Sequence, residues 1–269
     1  MALDSDVKGD SLKIRLDRWD AAQLNLSRPA SPDTADSPTD AKDVDQRSVD
    51  KANAVAYVAA NKEQRPWLAP VSDCEPEVQS VYASLDQGAG HAHIRHGPMG
   101  DDKMYADRVA RLEDPAQSDP ELRAQSADGF RASDLHYCAE FATRVHDARA
   151  FAAVVVVLSE EPKVRQALET GWNDVQPHPI VIPIADVLGP NGHEYCSGFR
   201  LKGDWPQSKL ERKQWARARA AGQDLGDLPE PRAERIPTFE DGHFVVQFKR
   251  NDSARRYEIN TIFAEPAQQ

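Results

Sequence analysis

Three of the chain's eight histidines lie within six positions of one another, in the stretch Gly90-His91-Ala92-His93-Ile94-Arg95-His96-Gly97-Pro98. Histidine has an unperturbed pKa of about 6.5, so it can take and return a proton near neutrality, and a cluster bracketed by glycines is a candidate acid–base site. The rival readings are a solvated histidine-rich loop, turn and capping residues at a helix end, and a metal site. The spacing 91, 93, 96 matches neither the i, i+4 pair of a helical zinc site nor paired Cys/His separated by a long loop. Proton transfer is the reading carried forward.

The elements around this stretch decide what can meet it. Beyond Pro98, Asp101 or Asp102 caps a predicted helix carrying Met104, Tyr105, Val109 and Leu112, with Arg108 on its flank between Asp107 and Glu113, and Pro115 stops it. A surface ion pair with those acids is the plain alternative for Arg108. A polar loop runs to Gly129. Ser133 and Asp134 are then N-cap candidates for a long helix with Leu135, Cys138, Ala142 and Val145 at 3-4-3 spacing. The valine run within Ala152–Leu158 reads as a buried helix, and Pro162 to Leu168 as a short one. From His178 to Leu188 and from His193 to Leu201 the pattern turns to β, separated by a turn at Gly189–Gly192. Lys209 to Ala221 is a basic helical segment, and Phe244, Val246 and Phe248 form one face of a terminal hairpin. That hairpin turns at Asn251–Ala254, and Tyr257, Ile259, Thr261 and Phe263 share one face of its returning strand. Helices followed by antiparallel strands define an α+β class.

Ahead of the histidines, residues 8–26 suggest a short amphipathic helix and residues 28–40 a Pro/Ser/Asp/Thr linker. Val44 to Asn61 is helical, Arg65-Pro66-Trp67 ends it, 70–76 is loop, and Val78, Val81, Tyr82 and Leu85 form a helical turn or two. A boundary near residue 80 divides a partly flexible helical and linker region, 1–80, from an α+β domain, 81–269. The net charge of −11 argues against a surface that grips nucleic acid throughout. The charge is uneven: residues 198–269 hold 13 Lys/Arg against 11 Asp/Glu, leaving 33 − 13 = 20 basic and 44 − 11 = 33 acidic for residues 1–197. Cys74, Cys138 and Cys196 make no CxxC pair and read as reduced thiols. No apolar run is long enough for a membrane span, and the N-terminus carries no secretory signal.

Gly-His91-x-x-x-x-His96-Gly, Arg108 on the next helix, Phe130-x-x-Ser133, and a hairpin bearing Thr261-Ile262-Phe263 together resemble the RNase-A-like toxin domain at the C-terminal ends of bacterial contact-dependent-inhibition and related polymorphic toxins. The resemblance covers roughly residues 85–264. It implies a small α+β ribonuclease, helices packed on an antiparallel sheet in a barnase-, EndoU-, RelE- or RNase-A-like manner, acting without metal or cofactor. It puts the active site on His96, Arg108 and Thr261, with His91 as second proton-transfer group or loop support, and Phe263 and Ser133 at the substrate. There are three departures: Arg108 follows His96 by twelve residues where the family has about eleven, Phe263 holds the family's tyrosine position, and Gly203 to Arg235 reads as an insertion. The chemistry asks for such groups in its own right. A base must take the 2′-hydroxyl proton, an acid must protonate the leaving 5′-oxygen, and a cation must steady the phosphorane.

Lys209, Arg212 and Lys213 are either contacts to RNA backbone or a solvated helix face. The implied partners are RNA, with tRNA among the candidates, and a cognate immunity protein, with neither DNA nor membrane. The implied route is signal-peptide-independent secretion or delivery into target cells, with action in the cytoplasm. The rival readings are an inactive binding module of the same fold and a hydrolase or transferase toxin directed at a nucleotide such as NAD.

Overall fold

The computed structural model describes residues 41–88, 90–117 and 135–267, with backbone alone for 41–48. The expected helix at 8–26, the linker at 28–40 and the segment Phe130–Asp134, Ser133 included, lie outside the described residues.

Helix α1 (Ala41–Asn61) turns Ala54 and Val58, one helical turn apart, into the core. A 3-10 turn (Pro66–Val71) buries Leu68 and Val71, and α2 (Pro76–Gln87) begins on Pro76 and buries Val78, Val81 and Tyr82. Residue 80, the expected boundary, falls inside α2. Ala54, Val58 and Leu68 share one hydrophobic core with Phe151, Val154, Phe244 and Ile262. The described residues between Ala54 and the expected boundary are therefore part of the packed body.

What joins these first elements is a single carboxylate. Asp86 accepts from Trp67 Nε1 at 2.7 Å, Tyr57 Oη at 2.8 Å and Arg65 Nη1 at 2.5 Å, and lies 3.3 Å from His93 Nε2. Burial alone would raise its pKa, but these four partners outweigh it and hold the group well below the usual carboxylate range.

Short helix α3 (Ala92–Arg95) leads to α4 (Asp102–Arg111), which Asp101 caps by accepting from the Met104 backbone N–H at 2.9 Å. The chain leaves α4 through Leu112 in the left-handed region (φ 56°), three residues before Pro115.

The expected long helix through Leu135, Cys138, Ala142 and Val145 is not there. Residues 135–139 run irregularly, and Phe141–Val145 is a strand, β1. Its Phe-Ala-Thr-Arg-Val sequence suits a pleated surface. Ala142 and Thr143 are both buried, which hides the period of two that would have marked it. The four apolar residues serve two cores: Cys138 and Ala142 pack with Tyr105, Val109 and Trp215, and Val145 joins the main core.

The valine run does form a helix, α5 (Ala148–Glu160). It is capped by Asp147 and buried on almost every side, and that burial overrides the β preference of its branched residues. Helix α6 (Pro162–Leu168) follows as expected. Strand β2 (Ile180–Pro183) is shorter than the sequence suggests. Pro183 has no N–H for the ladder, and Ile184–Leu188 coils into α7.

Strand β3 (Cys196–Leu201) pairs antiparallel with β1 and with β4 (Ala233–Arg235), giving one three-stranded sheet in the order β1-β3-β4. Between β3 and β4 lies the basic helix α8 (Trp205–Ala220). The segment read as an insertion thus helps build the second core, through Trp215 and Ala216 against Leu201, Tyr105 and Val109.

The second sheet is β2-β5-β6, with β5 (His243–Asn251) and β6 (Arg256–Glu265) forming the hairpin. Gln247 pairs with Thr261 but Phe248 pairs with Ile259, so Asn260 is a bulge. An extra residue shifts the parity of the strand. Ile259 and Tyr257 stand opposite Phe248 and Arg250, on the face that carries Phe244 and Val246, whereas Thr261 and Phe263 stand on the other face, opposite Gln247 and Val245. The four residues do not share one face. The architecture is α+β, with its antiparallel strands divided between two small sheets.

The Asp86 hub generates a stability prediction. Asp86→Ala strips Trp67, Tyr57, Arg65 and His93 of their shared partner, and is expected to lower the unfolding free energy by about 3 kcal/mol in urea titrations. Because the native carboxyl is depressed, its contribution is present above the unfolded value near pH 4 and is lost as pH falls below that. A variant as stable as wild type at pH 7 would contradict the hub.

Candidate active site

The histidine stretch is fastened to the hairpin bulge. The His91 backbone N–H donates to Asn260 O at 3.0 Å, and a Cβ on Gly90 would lie 2.7 Å from Ile259 O, so only glycine fits there. At the far end, a Cβ on Gly97 would lie 2.6 Å from His93 O. The single Tyr105 O–H is shared between Gly97 O and Met99 O, each at 3.2 Å, and burial pushes its phenol up to about 12. Both glycines that frame the cluster therefore serve close backbone approach.

The three histidines have different surroundings. His93 is held by Asp86 and belongs to the hub described above. His91 starts α3 and is half-buried. His96 is 6% exposed and lies between the two sheets: its backbone carbonyl accepts from Val145 N at 2.9 Å, and its ring lies 5.3 Å from the Phe263 ring at an interplanar angle of 31°. Its Nδ1 is 3.0 Å from Thr143 O. A carbonyl only accepts, so Nδ1 carries the proton and the lone pair is on Nε2. Burial, then the nearby charges of Arg108 and His91, push the ring's pKa well below 6.5. A neutral imidazole with its lone pair on Nε2 is equipped to act as a base.

Arg108 is 5% exposed, and it is not on a solvated flank. Its acidic sequence neighbours are occupied elsewhere, Asp107 by Lys103 and Arg111, and Glu113 by Arg219. Its Nε donates to His136 Nε2 at 3.2 Å and its Nη1 to Arg95 O at 3.0 Å. Among the described residues no carboxylate pairs with it. Burying a cation without a counter-ion is costly, and such a group attracts an anion.

Thr261 is 4% exposed, and its Oγ1 has no hydrogen-bond partner among the described residues. Thr261 shares a strand face with Phe263, the residue stacked on His96. The strand edge is also stitched to β1, since Thr143 Oγ1 donates to Ala264 O at 2.6 Å. His96, Arg108, Phe263 and the Thr261 face thus belong to one neighbourhood, with His91 at its margin.

The basic segment behaves differently. Arg212 is buried and donates to Val109 O at 2.7 Å, Ala139 O at 3.1 Å and Cys138 O at 2.8 Å, so it is a packing anchor and no contact for a phosphate. Lys209 lies 5.4 Å over the Trp205 ring, and both Lys209 and Lys213 are exposed.

What spacing in sequence could not reveal is a buried network behind Arg108. Asp114 accepts from Arg95 Nε at 3.0 Å and Nη2 at 2.7 Å and lies 3.9 Å from His136 Nδ1. Its three members, Arg95, Asp114 and His136, come from separate segments, and the sole signal was that all are titratable. Among the described residues no group of three or more His, Cys, Asp or Glu side chains is arranged to hold a metal ion, and no helix is long and apolar enough to cross a membrane. Cys74, Cys138 and Cys196 are not joined in disulfides, and burial pushes the Cys196 thiol up to about 12.

The chain matches no protein-family model, no curated protein and no solved structure.

Two measurements test this geometry. In ¹⁵N-detected spectra at pH 6, His96 is expected to be neutral with its proton on Nδ1. Because its native pKa is depressed, the unfolded chain binds more protons below about 6.5, and the resulting loss of stability sets in as pH falls from there. A ring charged at pH 6 would contradict the assignment. Separately, Thr261→Val replaces an unpartnered buried hydroxyl with a methyl group and is expected to raise the unfolding free energy by about 1 kcal/mol.

Proposed function

We propose that the chain is a ribonuclease effector that cleaves RNA by attack of the 2′-hydroxyl on the adjacent phosphate, without a metal ion. The observation carrying this reading is a neutral histidine whose Nε2 bears a lone pair, next to a buried arginine that no carboxylate neutralises. Nε2 of His96 takes the 2′-hydroxyl proton, and the oxygen attacks phosphorus as the bond to the 5′-oxygen breaks. Arg108 steadies the charge on the phosphoryl oxygens, and the unpartnered Thr261 hydroxyl donates to one of them. His91, whose charge His96 senses, is the group assigned to protonate the departing 5′-oxygen. The products are a 2′,3′-cyclic phosphate and a 5′-hydroxyl.

Phe263 cannot make the hydroxyl contact expected of the family's tyrosine, and its part here is to hold the His96 ring flat. The exposed Lys209 and Lys213 are the members of the basic helix left for RNA backbone. An effector of this kind requires a cognate immunity protein in its producer, and an acidic protein fits the basic C-terminal side. The rival, a binding module with the same fold and no turnover, is favoured by the shielding of His96 from solvent.

One assay separates them. Purified protein incubated with total RNA in EDTA is expected to leave cyclic-phosphate ends. His96→Ala and Arg108→Ala should each lower the rate by about 10²-fold or more, and Thr261→Val by about tenfold. RNA left intact by the wild-type protein would refute the ribonuclease reading.

A further inference from the structure

The geometry points to His136 as a positioning residue that sets the direction of the Arg108 guanidinium without neutralising it, with the charge of nearby Asp114 favouring the tautomer this requires. Only the identity of what Arg108 is aimed at rests on the ribonuclease reading.

The tautomer follows from the donors. A guanidinium Nε–H only donates, so His136 Nε2, 3.2 Å away, must be the bare acceptor nitrogen. The ring proton is then on Nδ1, on the side of the Asp114 carboxylate, which at 3.9 Å is too far for a hydrogen bond but close enough for its charge to favour a proton there. That carboxylate is itself fixed by two parallel bonds from Arg95 and by the Ala116 backbone N–H at 3.0 Å. Arg95 belongs to the histidine stretch, and its backbone carbonyl also takes Arg108 Nη1. Two of the three guanidinium nitrogens are therefore spent on direction, one by His136 and one by Arg95, while Nη2 makes no hydrogen bond to the described residues.

The choice of partner matters. An ordinary buried arginine is paired with a carboxylate, which orients it and cancels its charge together. Here the carboxylate, Asp114, is paired with Arg95 and stands one imidazole away from Arg108. His136 is 1% exposed and lends a lone pair but no charge. The guanidinium is thus held in place with its attraction for an anion intact. Orienting groups of this kind are worth roughly 10- to 100-fold where they have been removed from other sites.

The full chain serves for the test, with single-turnover cleavage of RNA in EDTA as one readout. His136→Leu removes the acceptor and is expected to lower kcat by about 10- to 100-fold while leaving KM nearly unchanged. His136→Gln can present an amide oxygen to Arg108 Nε and should recover kcat to within about threefold of wild type. In an Arg108→Ala background, His136→Leu should cost nothing further, because there is no guanidinium left to aim. Additive losses in that cycle, or Gln and Leu variants equally impaired, overturn the inference.

A second readout does not depend on turnover. ¹⁵N spectra of the wild-type protein should show His136 protonated on Nδ1 alone, and an Arg108 Nε–H resonance that shifts in His136→Gln. A proton on His136 Nε2 at neutral pH overturns the positioning role even if RNA is cleaved. A wild-type protein that cleaves no RNA yet gives the expected spectra would refute the ribonuclease reading and leave the positioning role standing.

Discussion

A strand that keeps its period of two sends every second side chain to the same face, so Tyr257, Ile259, Thr261 and Phe263 would all belong to the core if β6 were regular. The extra residue at Asn260 prevents this. Before the bulge the strand feeds Tyr257 and Ile259 to the Phe248 face, and after it Thr261 and Phe263 turn to the opposite side. The bulge also frees the Asn260 carbonyl for the His91 N–H, and Gly90 is the only residue type that can pass so close. One backbone irregularity therefore does two things: it aims a strand face and anchors the loop that meets it. Stacking of Phe263 on His96 is the result.

The second constraint is electrostatic. The buried group around α4 contains Arg95, Arg108 and Asp114 with the His96 and His136 rings, and the one carboxylate among these side chains is engaged by Arg95. Desolvating an unneutralised guanidinium costs several kcal/mol, which the fold must offset elsewhere. Backbone carbonyls and a neutral imidazole do part of this by supplying dipoles instead of charge. The remainder falls on the packing of the two cores and on the Asp86 hub.

Much of the fold was legible in the sequence because local signals agreed with the tertiary result. Asp101 and Asp147 cap their helices, Pro76 and Pro162 start theirs, and the hairpin follows its alternation up to Phe248. The misreadings came where one residue set serves two masters. Leu135, Cys138, Ala142 and Val145 have helical spacing by coincidence, since two cores draw on them. Arg108 looked like a surface residue because its neighbours Asp107 and Glu113 are charged, and nothing local says that both face away to other partners. Arg212 was grouped with Lys209 and Lys213 by type, but its position on the helix turns it inward to three carbonyls. The His136–Asp114–Arg95 network was invisible because ion pairing between distant segments leaves no period in the sequence.

A chain of net charge −11 is a poor general partner for nucleic acid, so any RNA must be bound by local fields. At physiological ionic strength exposed charges are screened over about 8 Å, whereas a buried guanidinium is screened far less. Arg108 can therefore attract a phosphate that the acidic surface beyond that distance barely repels. The same reasoning limits the footprint. Repulsion from the acidic majority of the chain, residues 1–197, disfavours a long duplex lying across the body, while Lys209 and Lys213 give purchase on the C-terminal side. Under the ribonuclease proposal, the substrate best suited to that balance is a short exposed stretch of RNA whose scissile phosphate reaches His96, with selectivity coming from access to one buried cation instead of from a broad basic surface.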